Sequence, residues 1–350
     1  MRLFICSFVL FVCVSEVLSV YDYHARVGIP KAEILLQSEN NIGVLGRIVG
    51  GAQATQFAYP YQAGVVVTLT SGWTSVCGGS LISNTRVLSA AHCWWDGRAQ
   101  ARTFQVVLGS LTLFSGGTRI DTSDVVVHGS WEPPNVMFDI AMVKITKVNY
   151  DRREPWSSSV KSDTTSSDQL RRRLLMLRLV PLMSGDIQLP KTVVPLAPFT
   201  VVQYVRIHFI IAVGYSIQAI PLPATADVNR DFAGLTAVAS GFGKTSDAQN
   251  SFPPTTSLHH VTLQVITNAV CQQSYNDADV SIHGSHLCTS GAQGVGTCDG
   301  DSGGPLTAVW NNQRILIGVV SFGPDGGCQS GIPSVFTRVT SYLTWIQGNM

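Results

Sequence analysis

Gly296-Thr297-Cys298-Asp299-Gly300-Asp301-Ser302-Gly303-Gly304-Pro305 sets one serine among four flanking glycines, with a carboxylate just before it and a cysteine near the entry. A serine hydroxyl is a weak nucleophile at its free pKa and needs an adjacent base to activate it. It also needs backbone N–H groups turned toward the oxygen that gains charge. Glycines permit this by tolerating unusual φ/ψ and close approach. A plain Gly-rich turn with a surface serine has the same short pattern, so the rest of the chain decides the reading.

The 350 residues are 45% hydrophobic and 13% charged, enough for one large domain or two modest ones. A formal net charge of +1 gives no global attraction to nucleic acid or to a membrane surface. Arg2, the apolar run Leu3 to Val14 and the small residues Val17 and Ser19 read as a secretory signal peptide over residues 1–19. The apolar run is shorter than the ~18 residues of a membrane anchor. Cys6 and Cys13 fall inside that signal, leaving Cys77, Cys93, Cys271, Cys288, Cys298 and Cys328. Six cysteines on an oxidising route predict three disulfides, in any of fifteen pairings. His259-His260 and His283/His286 lack the cysteine or carboxylate frame of a metal site, so no metal or other cofactor is expected.

From Tyr61 onward the apolar residues come in short β-branched runs bounded by Gly, Ser or Asp. Val65–Leu69, Phe104–Leu108, Asp124–Val127, Leu235–Gly241, His260–Ile266, Ile315–Ser321 and Val335–Val339 all read as strands of an all-β barrel or sandwich. Tyr342, Trp345 and Ile346 fit a short C-terminal amphipathic helix. Residues 148–212 break the strand rhythm and carry nine Lys/Arg against five Asp/Glu. Within them Leu170–Met183 has the pattern of a basic amphipathic helix, against the plainer reading of an exposed insertion.

Two more blocks carry chemistry. Ser89-Ala90-Ala91-His92-Cys93 places a histidine among small residues beside a cysteine, and Phe138-Asp139-Ile140-Ala141 places a carboxylate between apolar neighbours. Alone, each has a bland structural reading: a core histidine, or a turn aspartate. In the order His, Asp, Ser they match one of the known arrangements of a serine hydrolase triad.

On Arg47-Ile48-Val49-Gly50-Gly51, Ala90-Ala91-His92-Cys93, Asp139-Ile140-Ala141 and Gly300-Asp301-Ser302-Gly303-Gly304-Pro305, the chain resembles the chymotrypsin-like serine proteases from Ile48 to its C-terminus, apart from 148–212. Ser321-Phe322-Gly323 and Phe336-Thr337-Arg338-Val339 resemble invertebrate digestive chymotrypsins and their brachyurin-type collagenolytic relatives. The resemblance implies an all-β fold of two antiparallel six-stranded β-barrels with a C-terminal helix. It implies Ser302 as nucleophile, His92 as general base and acid, Asp139 as the group that orients and offsets the imidazole, and the N–H groups of Gly300 and Ser302 as the oxyanion hole. It also implies the pairing Cys77–Cys93, Cys271–Cys288 and Cys298–Cys328.

By the same resemblance, residues 20–47 are an activation propeptide. Cleavage after Arg47 by an activating protease would free the Ile48 amine to pair with Asp301. With no cysteine to tether it, the released propeptide is expected to diffuse away. Gly296 would stand at the base of the primary specificity pocket with Ser334, and Ser321 and Gly323 would form a wall. An uncharged pocket with an open wall favours large apolar P1 residues, while Ser334 pulls toward the smaller ones of elastase-like enzymes, and collagenolytic specificity stays open. A family-fold protein that has lost catalysis and only binds is the alternative class. The expected partners are protein or peptide substrates, the activating protease and protein protease inhibitors; the chain is expected to act as a secreted extracellular monomer, as in a digestive lumen, without a membrane anchor or nucleic acid. Joining Lys147 to Val213 restores a family-like Thr-Lys-Val-Gly-Tyr-Ser-Ile-Gln-Ala-Ile, so 148–212 reads as a retained intron, with a genuine surface insertion as the rival.

Overall fold

The computed structural model describes residues 21–40, 51–133, 136–150, 216–244, 246–247, 257–276, 280–324 and 327–350. The signal peptide expected at 1–19, the Arg47-Ile48 junction and nearly all of 148–212 lie outside these residues. The chain divides into two units, 1–151 with 214–350, and 152–213. Every described strand and helix belongs to the first unit.

The β-branched runs form strands because their side chains fill a pleated surface on one or both faces. Seven of them make one antiparallel sheet: β2 (Gln62–Leu69), β3 (Thr74–Ser83), β4 (Arg86–Ser89), β5 (Ala101–Leu108), β6 (Thr118–Thr122), β7 (Val125–Val127) and β8 (Ala141–Lys144). Its order is β6-β5-β2-β3-β4-β8-β7. Register is fixed by pairs such as Val65 with Cys77 and Leu88 with Met142. Val65, Val67, Leu81, Leu88, Phe104, Val106 and Met142 are all fully enclosed in its core, each burial contributing roughly 1.5–3 kcal/mol.

The second sheet holds β1 (Ala52–Gln53), β9 (Thr236–Gly241), β10 (His259–Ile266), β11 (His286–Thr289), β12 (Pro305–Trp310), β13 (Gln313–Phe322) and β14 (Ser334–Arg338). Here β9 pairs with both β10 and β12, closing six strands into a barrel with β1 added on β10. β10 shows why: Val261, Leu263 and Val265 are buried while Thr262 and Gln264 are exposed, the period-two pattern of a strand with one face inward. The architecture is the expected all-β pair of barrels. The first half differs in detail, curling through seven strands from β6 to β7 without a closing pair among the described residues.

Among the described residues three α-helices complete the unit: α1 (Ile29–Asn40), α2 (Asn268–Tyr275) and α3 (Leu343–Gly348). Thr267 caps α2 by accepting from the Val270 N–H at 3.3 Å. In α3, Leu343 and Ile346 are buried and Trp345 packs against the first core, the amphipathic pattern expected. The sulfurs pair Cys77–Cys93, Cys271–Cys288 and Cys298–Cys328.

Part of the segment before Ile48 is folded onto the body. In residues 21–40 a π-helical turn at His24–Gly28 runs into α1, and Tyr23, His24, Lys31 and Leu35 are buried. Cohesion without a disulfide comes from apolar contact, as Ala32 and Leu35 join Ala54, Val76, Val107, Leu113, Phe242 and Leu258.

Candidate active site

Each of the three chemical blocks lies on a turn held by tertiary contacts. His92 occupies a 3-10 turn, Ala91–Cys93, directly after β4, and the Cys77–Cys93 disulfide ties that turn to β3. Asp139 precedes β8 and follows Phe138, whose φ of +62° lies in the left-handed region that β-carbon sterics disfavour. The strained turn is held by the Phe138 N–H donating to the Tyr342 hydroxyl at 3.1 Å and by the Phe138 ring stacked 4.8 Å from His128. Locally costly geometry of this kind persists where the surroundings over-determine it.

Ser302 sits before β12 in a loop with φ of +97° at Gly300 and +81° at Gly303. A Cβ on Gly303 would stand 2.5 Å from the Gly78 carbonyl and 2.5 Å from Ser89 Oγ, so only glycine fits. The Gly78 N–H donates to the Ser302 carbonyl at 2.7 Å, which joins β3 to the serine loop. His92 and Asp139 come from the first sheet and Ser302 from the second; all three are buried, and Tyr23 meets both the His92 ring and the Ser302 side chain.

Asp139 is saturated with donors. Its Oδ2 takes the His92 Nδ1 at 2.8 Å and the Ser321 hydroxyl at 2.6 Å, its Oδ1 takes the His92 backbone N–H at 2.9 Å, and its carbonyl takes the Thr337 hydroxyl at 2.7 Å. Complete burial would raise its pKa, yet the His92 charge and these hydrogen bonds hold it below the ordinary carboxylate value. With Nδ1 directed at Asp139, His92 Nε2 is the remaining ring nitrogen; it is buried and makes no hydrogen bond among the described residues. That is the atom a base would use on a hydroxyl proton.

Asp301 presents a different picture at equal depth. It accepts from the Gly243 N–H at 2.7 Å and the Cys298 N–H at 3.0 Å. Burial pushes its pKa up to about 6, with the backbone donors and Lys31 pulling it down and Asp299 pushing it up. Lys244 and Asp299 form an ion pair beside it.

A cleft beside Ser302 is lined by Thr297, Asp299, Ser321, Gly323 and Cys328, and also by Tyr23 and Val27. Gly296 and Ser334, expected at the pocket base, do not line this cleft but meet each other next to Thr297: a Cβ on Gly296 would lie 2.8 Å from Ser334 Oγ, which itself accepts the Thr297 N–H at 3.1 Å. Beside Gly323 there is open space, with no described atom within 4 Å of a would-be Cβ.

Several participants escape a reading of the sequence. Ser321, expected as a pocket wall, lines the cleft and also donates to Asp139. Thr337 and Tyr342, both distant in sequence, brace the aspartate turn. Tyr23 is the largest surprise. Its ring centroid lies 4.7 Å from that of His92, its hydroxyl donates to the Val76 carbonyl at 2.9 Å, and burial raises its pKa while contact with the Ser302 side chain lowers it. Local sequence holds no signal for these, because each depends on residues brought together from opposite ends of the chain.

Comparison with known proteins agrees with the geometry. The Trypsin family model matches residues 48–168 and 203–346. A collagenase from Hypoderma lineatum is 30% identical over 304 residues, covering 87% of each chain. A brachyurin from Leptuca pugilator is 29% identical over 300 residues, covering 86% of this chain and 97% of its own. The solved structure of HL collagenase superposes with a TM-score of 0.62 at 30% identity, covering 86% of this chain and 98% of that one. With a family model over most of its length, relatives at about 30% identity and an all-β fold of one closed barrel and one curled sheet, the chain belongs to the trypsin family and is a chymotrypsin-like serine endopeptidase.

Proposed function

We propose that the chain is a secreted zymogen, activated by cleavage after Arg47, that cuts peptide bonds after large apolar residues through an acyl-enzyme. The observation that carries the chemistry is the pairing of His92 Nδ1 with a saturated Asp139, which leaves Nε2 to take the Ser302 proton. Ser302 Oγ attacks the scissile carbonyl as its proton passes to Nε2. His92 then gives that proton to the leaving amine, and water reverses the sequence to release the acid. Asp139 stays ionised throughout and offsets the imidazolium. The N–H groups of Gly300 and Ser302, in a loop opened by a left-handed glycine, receive the oxyanion; losing one such donor costs about 2.7–4 kcal/mol of transition-state stabilisation.

Activation follows from Asp301. A buried carboxylate raised to about 6 carries its charge near neutrality against a desolvation cost, and an ammonium delivered beside it would stabilise the charged form. The Ile48 amine, freed after Arg47, is that ammonium in this reading. For specificity, Gly296 and Ser334 bring no charge to the pocket base, and the space beside Gly323 admits a bulky side chain. Phe, Tyr, Leu and Met are the favoured P1 residues, with pocket changes shifting preference by about 1–3 kcal/mol. Residues 148–212 are read as absent from the mature enzyme; the family match breaks at 169–202, inside that stretch, and continues over 148–168 and 203–212.

The test is a fluorophosphonate probe on chain cleaved after residue 47, followed by P1 profiling on a peptide library. Labelling at Ser302 and preference for aromatic and large aliphatic P1 are expected. A cleaved, folded chain that does not label would show a binding module instead. Transcript sequencing across codons 147 and 213 addresses the insertion, and an abundant message encoding 148–212 would overturn that part.

A further inference from the structure

Residues 21–40 run past His92, the cleft beside Ser302 and the oxyanion loop. At the start, Asp22 pairs with Arg98 at 3.1 Å, Arg98 stacks over the Tyr21 ring at 5.4 Å, and the His24 N–H donates to Asp96 at 2.8 Å. In the middle, Tyr23 covers the His92 ring and hydrogen-bonds the Val76 carbonyl, while His24 Nδ1 meets Ser75 Oγ at 2.8 Å. Val27 and Tyr23 line the same cleft as Ser302 and Gly323. Further on, the Lys31 stem crosses the oxyanion loop, with its Cγ 3.1 Å and its Cε 3.4 Å from where a Gly300 Cβ would stand. At the end, Leu35 is sealed in an apolar cluster and Glu39 accepts from the Leu113 N–H at 2.8 Å, the Phe114 N–H at 2.9 Å and the Ser115 hydroxyl at 2.7 Å.

A leader whose only task were to hold back the Ile48 amine would need none of these contacts. We infer that the cleft is a binding site for this chain's own 21–40 segment, which blocks His92, the specificity cleft and the oxyanion loop at once, and that the segment stays bound as a noncovalent inhibitor after the chain is cut. This rests on the reading of residues 20–47 as a propeptide. Activation then takes two steps, scission and release, and the sequence expectation that the freed propeptide diffuses away is replaced by one in which it must be displaced. Aromatic coverage of the base, a polar anchor at each end and an apolar plug between them resemble a tight interface in miniature: a buried centre with a hydrogen-bonded rim.

The experiment uses the full chain carrying G43D, V44D, L45D, G46D and R47K, which creates an enteropeptidase site ending before Ile48. After scission at micromolar concentration, gel filtration is expected to recover the segment with the body. Mild denaturant followed by refolding of the separated body should give an enzyme that hydrolyses a chromogenic peptide with Phe at P1. Synthetic peptide 21–40 should then inhibit it competitively, raising KM and leaving kcat unchanged. Peptides with Tyr23→Ala or Leu35→Asp should inhibit at least about tenfold less well, since each removes a buried anchor; because these changes sit in the added peptide, they leave the folding of the body untouched. A segment that elutes free, together with a synthetic peptide that does not inhibit, overturns the inference. So does a segment that co-elutes while hydrolysis proceeds at full rate. If the peptide binds by fluorescence anisotropy yet the body neither labels with fluorophosphonate nor hydrolyses, the protease reading fails while the binding site stands.

Discussion

Asp139 and Asp301 are both buried aspartates within the same site, and the fold treats them in opposite ways. Asp139 receives the imidazole, a serine hydroxyl and a backbone N–H on its two oxygens, and stays below the ordinary carboxylate pKa despite complete burial. Asp301 receives two backbone N–H groups and is pushed up to about 6. Depth alone therefore does not decide ionisation; the number and charge of donors does. The first aspartate has its charge offset by neighbours already in place, and the second has its charge only partly offset. In the proposed activation this difference would separate a permanent positioning group from a switch.

The sharpest way to break this comparison is Asp139→Asn. An amide has the same shape but cannot hold the imidazole in the needed tautomer or offset its charge, so kcat should fall about 10⁴-fold with the fold intact. Steady-state kinetics with circular dichroism checks it; a loss below tenfold would mean that Asp139 is only a packing group.

Asp301→Asn probes the other side. A folded pKa raised from 3.8 to about 6 means the folded uncleaved chain holds the proton more tightly than the unfolded chain. That stabilisation is complete below the unfolded value and is lost as pH climbs through about 6. Uncleaved wild-type chain should therefore lose up to about 3 kcal/mol relative to Asp301→Asn between pH 4 and pH 7. Urea unfolding across that range tests this. Parallel pH profiles for the two chains would show that Asp301 is no switch. In chain cleaved after Arg47 the sign should reverse, because the variant can no longer pair the Ile48 amine.

The smallest effect is expected from Ser321→Ala, which removes one hydroxyl from a charged acceptor and should cost about 1.5–3 kcal/mol of stability. Ser321 acts through Asp139, so kcat/KM should drop modestly while KM for substrates of different P1 size keeps its ranking. A change in P1 ranking instead would return Ser321 to the pocket wall alone.

Legibility in the sequence follows the range of the interaction. The strands read at 65–69, 104–108 and 260–266, which extend to 62–69, 101–108 and 259–266 in the fold, are legible because alternation and β-branching are local consequences of a pleated, half-buried surface. The three chemical blocks are legible because Gly-rich turns and a cysteine beside a histidine are short patterns, and the disulfide pairing follows only from family resemblance. The docking of 21–40 is not legible. Its buried face mixes Lys31 with Ala32 and Leu35, so no clean apolar stripe marks α1. Likewise nothing near Phe138 announces a left-handed turn, since that strain is held by His128 and Tyr342.

By itself, then, the sequence determined the all-β class, the serine loop and the order His92, Asp139, Ser302, since backbone sterics and side-chain pattern act over a few residues. Only the tertiary structure decided that Ser321 serves Asp139 from 182 positions away, that the pKa values of Asp301 and Asp139 are shifted in opposite directions, and that Tyr23 lies against His92. These depend on which groups share a low-dielectric space once the sheets close. Burial and donor count are properties of the folded neighbourhood, not of any stretch of chain.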